Sequence, residues 1–350
     1  MKKIIVLLLC SLVFIPVIRA DESGISVKSE SGIIMEASTG KVLFEKEADT
    51  PKAPASMTKI MTMLLIMEAI DDGRLSMDDQ VNISKNASGM GGSQAYLEEN
   101  TTSKVSTLLT AIAIGSANDA SVAMAEKIGG TEENFVNMMN KRAKELGAKN
   151  TTFKNPHGLD EDGHLTTARD LAIIARELIT KHPKIMEYTT IWMDSLRDGK
   201  SELVNTNKLV RNYAGCTGLK TGSTSVALFN LSATATRDGL SLIAVIMKGE
   251  TSKIRFAEAQ KLLDYGFSNY QYALCGSKGD VVKCVEVNKG LMPTVELTLE
   301  NDCGALIGKG QNKNVTTDIN INNNISAPIK QGEKLRRSKI LYRWKFNSNK

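Results

Sequence analysis

Apolar positions form two short runs near the N-terminus and then follow a helical pattern. Residues 31–48, SGIIMEASTGKVLFEKEA, place two apolar-rich runs around the turn residues STG, which predicts a β-hairpin. Residues 54–73, PASMTKIMTMLLIMEAIDDG, begin with Pro54, and apolar side chains then run almost all round from Ile60 to Ile70. A helix that is apolar on every side is a buried central helix, and DDG marks its end.

Four further segments have the apolar spacing of helices. They are VSTLLTAIAIGSANDASVAMAEKIG (105–129, interrupted at GSAND), TEENFVNMMNKRAKELG (131–147), TTARDLAIIARELIT (166–180) and FAEAQKLLDYGF (256–267). Residues 219–249, LKTGSTSVALFNLSATATRDGLSLIAVIMKG, predict strands joined at a DG turn. The order of a hairpin, helices, strands and a last helix predicts an α/β domain of the α+β type, in which helices pack on an antiparallel sheet.

Helical periodicity stops near residue 270. In TVELTLE, residues 294–300, strict alternation places Val295, Leu297 and Leu299 on one face, as in a half-buried strand. The segment that follows the last helix therefore predicts a small all-β domain. We expect four parts in the chain: a leader (1–20), a larger domain (21–267), a β-rich domain (268–335) and a tail (336–350).

The first twenty residues differ from the rest of the chain. Lys2 and Lys3 form a basic start, the apolar run IIVLLLCSLVFIPVI follows, and VIRA precedes the polar DES. This pattern is typical of a secretory signal cleaved after Ala20, with an uncleaved N-terminal anchor as the alternative. We therefore expect an exported, extracytoplasmic protein in the cell wall or at the outer face of the cytoplasmic membrane.

The formal net charge of +5 arises at the two ends of the chain. Residues 1–20 and 336–350 together hold nine basic residues and no acidic one, so the residues between them are net negative. This distribution does not favour a nucleic-acid partner. The tail, RRSKILYRWKFNSNK, joins six positive charges to three aromatic rings, so it either contacts anionic lipid or wall polymer or is a solvated end.

Cysteine and histidine usage predicts neither a metal site nor another cofactor. Four cysteines follow the leader, namely Cys216, Cys275, Cys284 and Cys303. Export permits disulfides, but the sequence does not assign a pair. The chain has no CxxC pair and no histidine cluster that suggests a metal site, and its three histidines are His157, His164 and His182.

Ser56 and Lys59 stand at the front edge of the apolar helix, one turn apart on the same face. A serine hydroxyl is a poor nucleophile until a base takes its proton. A lysine amine becomes such a base if burial or neighbouring positive charge lowers its pKa. Free N–H groups at a helix N-terminus can also stabilise an oxyanion. Taken alone, the pair is better explained as a helix cap beside a surface lysine.

A second polar group, GSAND, interrupts the apolar run of residues 105–129. Because the residues on both sides are apolar, the side chains of Ser116 and Asn118 are expected to point into a protected space. Considered by itself, this segment is an ordinary turn between two helices. Its interest comes from its position between the Ser56–Lys59 pair and the strands that follow.

A third group, GLKTGST, begins the predicted strands. Lys220 supplies positive charge for a carboxylate, while Thr221 and Ser223 project to one face and can donate hydrogen bonds. Gly222 permits another backbone to approach closely. These residues suit an extended substrate that lies along a strand edge, although an exposed polar strand start is the common alternative.

The order of the three groups is far more specific than any one of them. SxxK at Ser56, SxN at Ser116 and KTG at Lys220 together predict a serine nucleophile activated by a lysine. A Ser–His–Asp hydrolase is the natural competitor and would need His157 or His164 as its base. Both histidines lie in the turn-rich NPHGLDEDGHLTTARD, and the chain has no GxSxG elbow.

The three groups and their surroundings resemble the low-molecular-mass penicillin-binding proteins that act as D-alanyl-D-alanine carboxypeptidases. The resemblance covers about residues 28–335 and includes ASTGKVLFEK, PASMTKIMT, IGSANDASVAMAE, FKNPHGLDEDGH with TTARDLAIIAREL, NTNKLV, GLKTGST and FAEAQKLLDYGF. It implies a penicillin-recognising serine transferase fold, with an antiparallel sheet and packed helices, followed by a small C-terminal all-β domain. No cofactor is implied.

The resemblance also implies catalytic roles. Ser56 would be the nucleophile that forms the acyl-enzyme, and Lys59 would be its general base. Ser116 would be the relay that protonates the leaving amine, with Lys220 beside it. Asn118 would hold the substrate backbone.

Substrate binding is implied in the same way. Lys220, Thr221, Gly222 and Ser223 would bind the terminal carboxylate, and Arg197 would support them. The backbone N–H groups of Ser56 and Ser223 would form the oxyanion hole. The expected partner is a peptidoglycan stem peptide ending in D-Ala-D-Ala, from which D-alanine is released, and β-lactam antibiotics are the expected covalent inhibitors.

The sequence departs from this family pattern in three places. Ser223 stands where many relatives carry histidine, so we expect retained activity with an altered pH dependence. Cys216 is unusual, and relatives usually continue into an amphipathic anchoring helix where this chain has its basic tail. Two alternatives stay open: a β-lactamase, although no glutamate motif lies between SxN and KTG, and a non-catalytic module that binds wall or penicillin.

Overall fold

The computed structural model describes residues 24–196, 199, 201–290, 293–300, 302–310, 318–319, 325–328 and 340–341. The expected leader (1–20), Arg197 and the tail apart from residues 340–341 lie outside this range. What the sequence indicates about them stays a prediction, as do the expected domain boundaries. Within the described residues, no helix is both long enough and apolar enough to cross a bilayer.

Strands and helices follow one another in the order that the hydrophobic pattern predicts. The strands are β1 (Ser31–Glu36), β2 (Val42–Lys46), β3 (Gln80–Asn82), β4 (Thr102–Lys104), β5 (Met193–Leu196), β6 (Ser201–Val204), β7 (Cys216–Thr224), β8 (Leu228–Arg237), β9 (Leu240–Gly249), β10 (Tyr270–Gly276), β11 (Val281–Asn288), β12 (Thr294–Thr298), β13 (Cys303–Gly308), β14 (Asp318–Ile319), β15 (Ile325–Ser326) and β16 (Ile340–Leu341). The α-helices are α1 (Lys59–Asp71), α2 (Lys85–Ser88), α3 (Val105–Thr110), α4 (Asn118–Gly129), α5 (Glu132–Leu146), α6 (Ala168–Lys181), α7 (Met186–Thr189), α8 (Leu209–Asn212) and α9 (Ser252–Asn269). Short 3-10 turns at Ala55–Thr58 and Pro183–Ile185 and a π-helical turn at Ala111–Gly115 complete the set.

The central sheet has five antiparallel strands in the order β2-β1-β9-β8-β7. The predicted hairpins are confirmed, since β1 pairs with β2 and β8 pairs with β9 across Arg237 and Leu240. Strand β7 pairs only with β8 in this sheet, so it is an edge strand. No strand of the described residues pairs with its second edge, which is the edge that the predicted role of the KTG group requires.

Two apolar clusters cover the two faces of the sheet. Ile243 and Val245 of β9 belong to the cluster that contains α1, α4 and α6, whereas Leu242 and Ala244 pack with Leu262 of α9. This alternation is the consequence of the two-residue period of a strand. The predicted α+β fold, with helices packed on an antiparallel sheet, is confirmed.

Helix α1 is the central helix that its composition predicts. Ten of its residues are buried, including Lys59 at its first position. Each fully buried Leu, Ile or Met side chain stabilises the fold by about 1.5–3 kcal/mol, so the helix is held firmly on all sides. The Ser56 turn, Ala55–Thr58, leads directly into this helix and is thereby fixed to the core.

The region after α9 is built of strands, as predicted. β10 pairs with β13, and β11 pairs with β12, which contains the alternating segment around Val295. Cys216, Cys275 and Cys284 are free thiols in the part of the chain that the structure describes. The side chain of Cys303 lies outside that part.

Candidate active site

Ser56 and Lys59 are in direct contact at the start of α1. Ser56 lies in the 3-10 turn that precedes the helix, and its Oγ is 3.2 Å from Lys59 Nζ. Ala55, just before it, is buried with φ of +50°, a left-handed conformation that non-glycine residues adopt at a cost of about 1–3 kcal/mol. The turn therefore presents the hydroxyl in a backbone geometry that the packed surroundings impose.

The Lys59 amine is enclosed by protein oxygen atoms. It is fully buried, and its Nζ donates hydrogen bonds of 2.6 Å to Asn118 Oδ1 and to the backbone carbonyl oxygen of His157. Burial lowers the pKa of Lys59 well below its usual value, Lys220 lowers it further, and Asp119 opposes the shift. A neutral amine has two hydrogens for the two acceptors, which leaves its lone pair for the Ser56 hydroxyl.

The GSAND segment brings the Asn118 side chain into hydrogen-bond contact with this amine and places Ser116 just before α4. Ser116 is 5% exposed and has φ of +60°, in a left-handed break between the π-helical turn and α4. Asn118 is the first residue of α4, and its Nδ2 also donates to Gly91 O at 2.7 Å. Among the residues that the structure describes, no hydrogen bond joins the Ser116 hydroxyl to Lys59 or to Lys220.

Asp119, beside Asn118, fixes the loop of residues 95–97 against α4. Its carboxylate accepts hydrogen bonds from the backbone N–H groups of Ala95 and Leu97, both at 3.0–3.1 Å. Asp119 is almost completely buried, so these charge-assisted bonds are formed away from water. The sequence interpretation missed this loop, because only the contacts show that it reaches α4.

The KTG group lies on the edge strand β7. Lys220 is fully buried, its Nζ donates to Thr221 O at 3.0 Å, and burial, with the positive charge of Arg255, lowers its pKa to about 7. Thr221 Oγ1 donates to Thr206 Oγ1 at 2.7 Å, whereas the Ser223 side chain is exposed. Within the described residues, Lys220 has no carboxylate partner, which suits a site for a ligand carboxylate.

Gly222 allows β7 to touch the Ser56 turn. A Cβ at this position would lie 3.0 Å from Met57 N, which is tight, and 2.8 Å from Pro54 O, which is closer than real Cβ atoms approach another atom. Only glycine fits this approach of two backbones. The third motif is therefore packed directly against the first, although 163 positions separate Lys220 from Met57.

The NPHG segment supplies the group that sequence reasoning missed. Its contribution is the His157 carbonyl oxygen that accepts from Lys59, and Gly158, with φ of +93°, follows it. A Cβ at Gly158 would lie 2.0 Å from Ala55 O, so the segment packs against the Ser56 turn. The only signal in the sequence is the His-Gly pair in a turn-rich loop, which does not reveal a carbonyl ligand.

Neither histidine ring serves Ser56. His164 Nε2 is 2.8 Å from Thr58 Oγ1, and His157 Nε2 is 3.7 Å from Glu132 Oε1. Burial lowers the pKa of His157 to about 3 and that of His164 to about 4, so both rings are neutral at pH 7. In the described part of the chain, no hydrogen bond links either ring to Ser56, and a Ser–His–Asp arrangement is absent there.

Two more buried residues behind the strands were not predicted. Asn230 of β8 donates through Nδ2 to Ala53 O at 3.0 Å and to Pro54 O at 3.1 Å, immediately before the Ser56 turn. Arg255 of α9 donates through Nη1 to the carbonyl oxygens of Gly222 and Asn230, each at 3.1 Å. No local pattern marks them, because an asparagine in a strand and an arginine on a helix are ordinary surface residues in a sequence.

Comparisons with known proteins agree with this arrangement. Residues 18–251 match the D-alanyl-D-alanine carboxypeptidase family, and residues 270–343 match the C-terminal domain of penicillin-binding protein 5. The chain is 47% identical to D-alanyl-D-alanine carboxypeptidase DacF of Bacillus subtilis over 317 residues, which are 89% of this chain and 81% of that protein. It is 33% identical to DacC of Escherichia coli, covering 88% of this chain and 78% of that protein.

A solved structure is similar over nearly the whole chain. Penicillin-binding protein 5 of Haemophilus influenzae superposes with a TM-score of 0.75 at 31% identity, over 93% of this chain and 94% of that one. Motifs, contacts, sequence relatives and fold all point the same way. The chain belongs to the D-alanyl-D-alanine carboxypeptidase family.

Proposed function

We propose that this protein is a serine-type carboxypeptidase that removes the terminal D-alanine from peptidoglycan stem peptides ending in D-Ala-D-Ala. The observation that carries the proposal is the 3.2 Å contact between the Ser56 hydroxyl and the fully buried amine of Lys59. Curated relatives that bear the name of this activity support the same reaction.

The strand side of the site binds the end of the substrate. The terminal carboxylate pairs with Lys220 and accepts hydrogen bonds from Thr221 and Ser223, while Gly222 leaves room for its backbone. Lys220 has a pKa of about 7 and no carboxylate partner of its own in the described residues, so a substrate carboxylate favours its protonated form. Asn118 holds the substrate backbone from the opposite side, and Arg197 supports the carboxylate.

Acylation begins when Ser56 Oγ attacks the carbonyl carbon between the two D-alanines. The Ser56 proton passes to Lys59 Nζ, and the developing oxyanion accepts hydrogen bonds from the backbone N–H groups of Ser56 and Ser223. The C–N bond then breaks, and the leaving nitrogen receives a proton from Lys59 through Ser116. D-Alanine departs, and an ester joins the remaining peptide to Ser56.

Water completes the cycle. Lys59, neutral again, takes a proton from the attacking water, and Ser56 recovers its proton as the ester bond breaks. A β-lactam enters by the same attack, but its leaving nitrogen stays tethered to the acyl group and hinders the water. The proposal therefore includes covalent binding of β-lactam antibiotics at Ser56.

The alternatives have less support. A β-lactamase needs a carboxylate that activates the deacylating water, and no carboxylate lies within hydrogen-bond distance of Ser56 or Lys59 in the described residues. A non-catalytic module would not need a fully buried lysine with a lowered pKa against a serine. We place the protein outside the cytoplasm, following the expected leader and the wall-acting relatives, and we propose that its basic tail touches anionic lipid or wall polymer.

The test is release of D-alanine from a D-Ala-D-Ala peptide, with intact-mass measurement and peptide mapping after penicillin exposure. The wild-type protein is expected to release D-alanine and to carry one penicillin adduct on the peptide that contains Ser56. Ser56→Ala is expected to lose both, whereas the control Ser88→Ala, whose hydroxyl donates to Lys85 O within its own helix, keeps both. Turnover that survives in Ser56→Ala, or an adduct on another peptide, refutes the assignment.

A further inference from the structure

Arg255 is a buried cation behind the strand that carries KTG. Its residue is 7% exposed, and its guanidinium lies 5.4 Å from the ring centre of Phe229 and 4.9 Å from that of Phe256. Its Nη1 donates to Gly222 O and to Asn230 O, both at 3.1 Å. Helix α9 thus reaches through to the backbone of the edge strand at one defined point.

This guanidinium has no acidic partner in the part of the chain that the structure describes. Glu258, one turn further along α9, gives its carboxylate instead to the backbone N–H groups of Lys28 and Ser29. An arginine that only holds a fold together is usually paired, because burying an unpaired charge is costly. The two carbonyl oxygens are therefore what Arg255 is placed to bind.

The Gly222 carbonyl belongs to the same peptide group as the Ser223 N–H. In a trans peptide group these two dipoles point in opposite directions, so a donor on the carbonyl side leaves the N–H aimed at the free edge of β7. A charged donor also polarises the peptide group and makes its N–H a stronger donor. This N–H is one of the two oxyanion donors in the proposed reaction.

The second oxyanion donor is connected to the same arginine through Asn230. Asn230 is fully buried, and its side chain donates to Ala53 O and Pro54 O while accepting from the Lys248 N–H at 2.7 Å. These bonds fix the chain directly before the Ser56 turn. Because Asn230 O itself accepts from Arg255, one guanidinium braces the backbone on both sides of the oxyanion site.

We propose that Arg255 is a positioning residue that orients and polarises the Gly222–Ser223 peptide group and, through Asn230, aligns it with the Ser56 N–H to stabilise the oxyanion. The inference rests on the proposed function above. It assigns to α9, which does not touch the substrate, a part in transition-state stabilisation.

The test compares Arg255→Gln and Arg255→Lys with the wild-type protein in penicillin acylation and in the infrared stretching frequency of the acyl-enzyme ester carbonyl. Oxyanion donors lower that frequency, so Arg255→Gln is expected to shift the band upwards and to slow acylation by about tenfold, less than the loss of a whole donor. Arg255→Lys retains the charge, so its carbonyl frequency and its acylation rate are expected to lie between those of the wild-type protein and of Arg255→Gln.

Arg237→Gln is the matched control. Arg237 also stacks on two rings, those of Tyr213 and Phe267, and donates to one backbone carbonyl, Ala214 O, but it does not touch β7 at Gly222. It is expected to lower the melting temperature without moving the carbonyl band. The inference is overturned if the band is unchanged in both Arg255 variants, or if their acylation rates fall only as far as that of Arg237→Gln at equal stability.

The outcome is separable from that of the proposed function. If the wild-type protein forms no Ser56 adduct and releases no D-alanine, the proposed function fails first. If the wild-type protein does both and the Arg255 variants acylate at its rate with the same carbonyl frequency, only the role of Arg255 fails.

Discussion

The two sides of the candidate site each present a fully buried lysine, in opposite surroundings. On the helical side, Lys59 lies among oxygen acceptors, from Asn118 and from the His157 carbonyl, and against a hydroxyl. On the strand side, Lys220 has one backbone acceptor and a second cation, Arg255, near it. Burial lowers both pKa values, but the contacts suit a proton acceptor on the helical side and a receptor for an anion on the strand side.

The comparison teaches that burial alone does not set the role of a lysine. The desolvation of an ammonium group favours the neutral form at either place. What differs is the group that the amine faces: a hydroxyl with a proton to lose, or an open strand edge where a carboxylate can restore the charge. Substitutions on the two sides separate these two cases.

The largest expected effect is that of Lys59→Arg, for which the same substitution at Lys220 is the comparison. Lys59→Arg cannot take a proton at neutral pH and is expected to lower D-alanine release about 10³-fold or more. Lys220→Arg keeps a cation for the carboxylate and is expected to lose about tenfold, chiefly through a raised KM. Steady-state kinetics and penicillin acylation measure both; equal losses at the two positions would contradict the division of roles.

A smaller effect is expected when the two sides are pushed apart. In Gly222→Ala, the new Cβ meets Pro54 O at 2.8 Å and Met57 N at 3.0 Å. Backbone must shift, and a displacement of this kind is expected to slow acylation about 10–100-fold. Gly276→Ala is the control, because its new Cβ would meet chiefly the end of the Leu299 side chain, at 2.6 Å, and not the Ser56 turn. An unchanged acylation rate in Gly222→Ala would show that the close approach of the two backbones is not required.

The smallest expected effect is on stability. The pKa of Lys220 is lowered from 10.5 to about 7 in the folded protein. Between these values the unfolded chain binds more protons than the folded one, so the contribution of Lys220 to stability rises with pH from about 7 to 10.5. Below about pH 7, Lys220 is protonated in both states, and its buried charge then lowers the free energy of unfolding the most.

Lys220→Met removes the buried amine and keeps a similar shape. It is expected to raise the free energy of unfolding at pH 6 by about 1–3 kcal/mol and to flatten the rise between pH 7 and 10, while abolishing carboxylate binding. Denaturant unfolding at several pH values measures this change. A variant that is less stable than the wild-type protein at pH 6 would show that the strand side stabilises its own lysine.

Much of the fold followed from local patterns. The hairpins, the all-round apolar helix α1 and the break at GSAND were predicted from spacing, because strands and amphipathic helices impose periods of two and 3.6 residues on the sequence. The NPHG segment shows the limit. Its two histidines are the candidate bases in the sequence, but in the structure the segment contributes the His157 backbone carbonyl oxygen. Because every residue has a backbone carbonyl, no residue type in the sequence marks this contact.

The sequence by itself determined the order of elements and the candidate residues of the proposed chemistry, Ser56, Lys59, Ser116, Asn118 and the KTG group, because both are properties of short segments. Only the tertiary structure decided that Lys59 is enclosed by Asn118 and the His157 carbonyl, that Gly222 touches the Ser56 turn, and that Arg255 lies behind both. Desolvation and close approach depend on all the chain segments that surround a group, and those segments are distant in sequence.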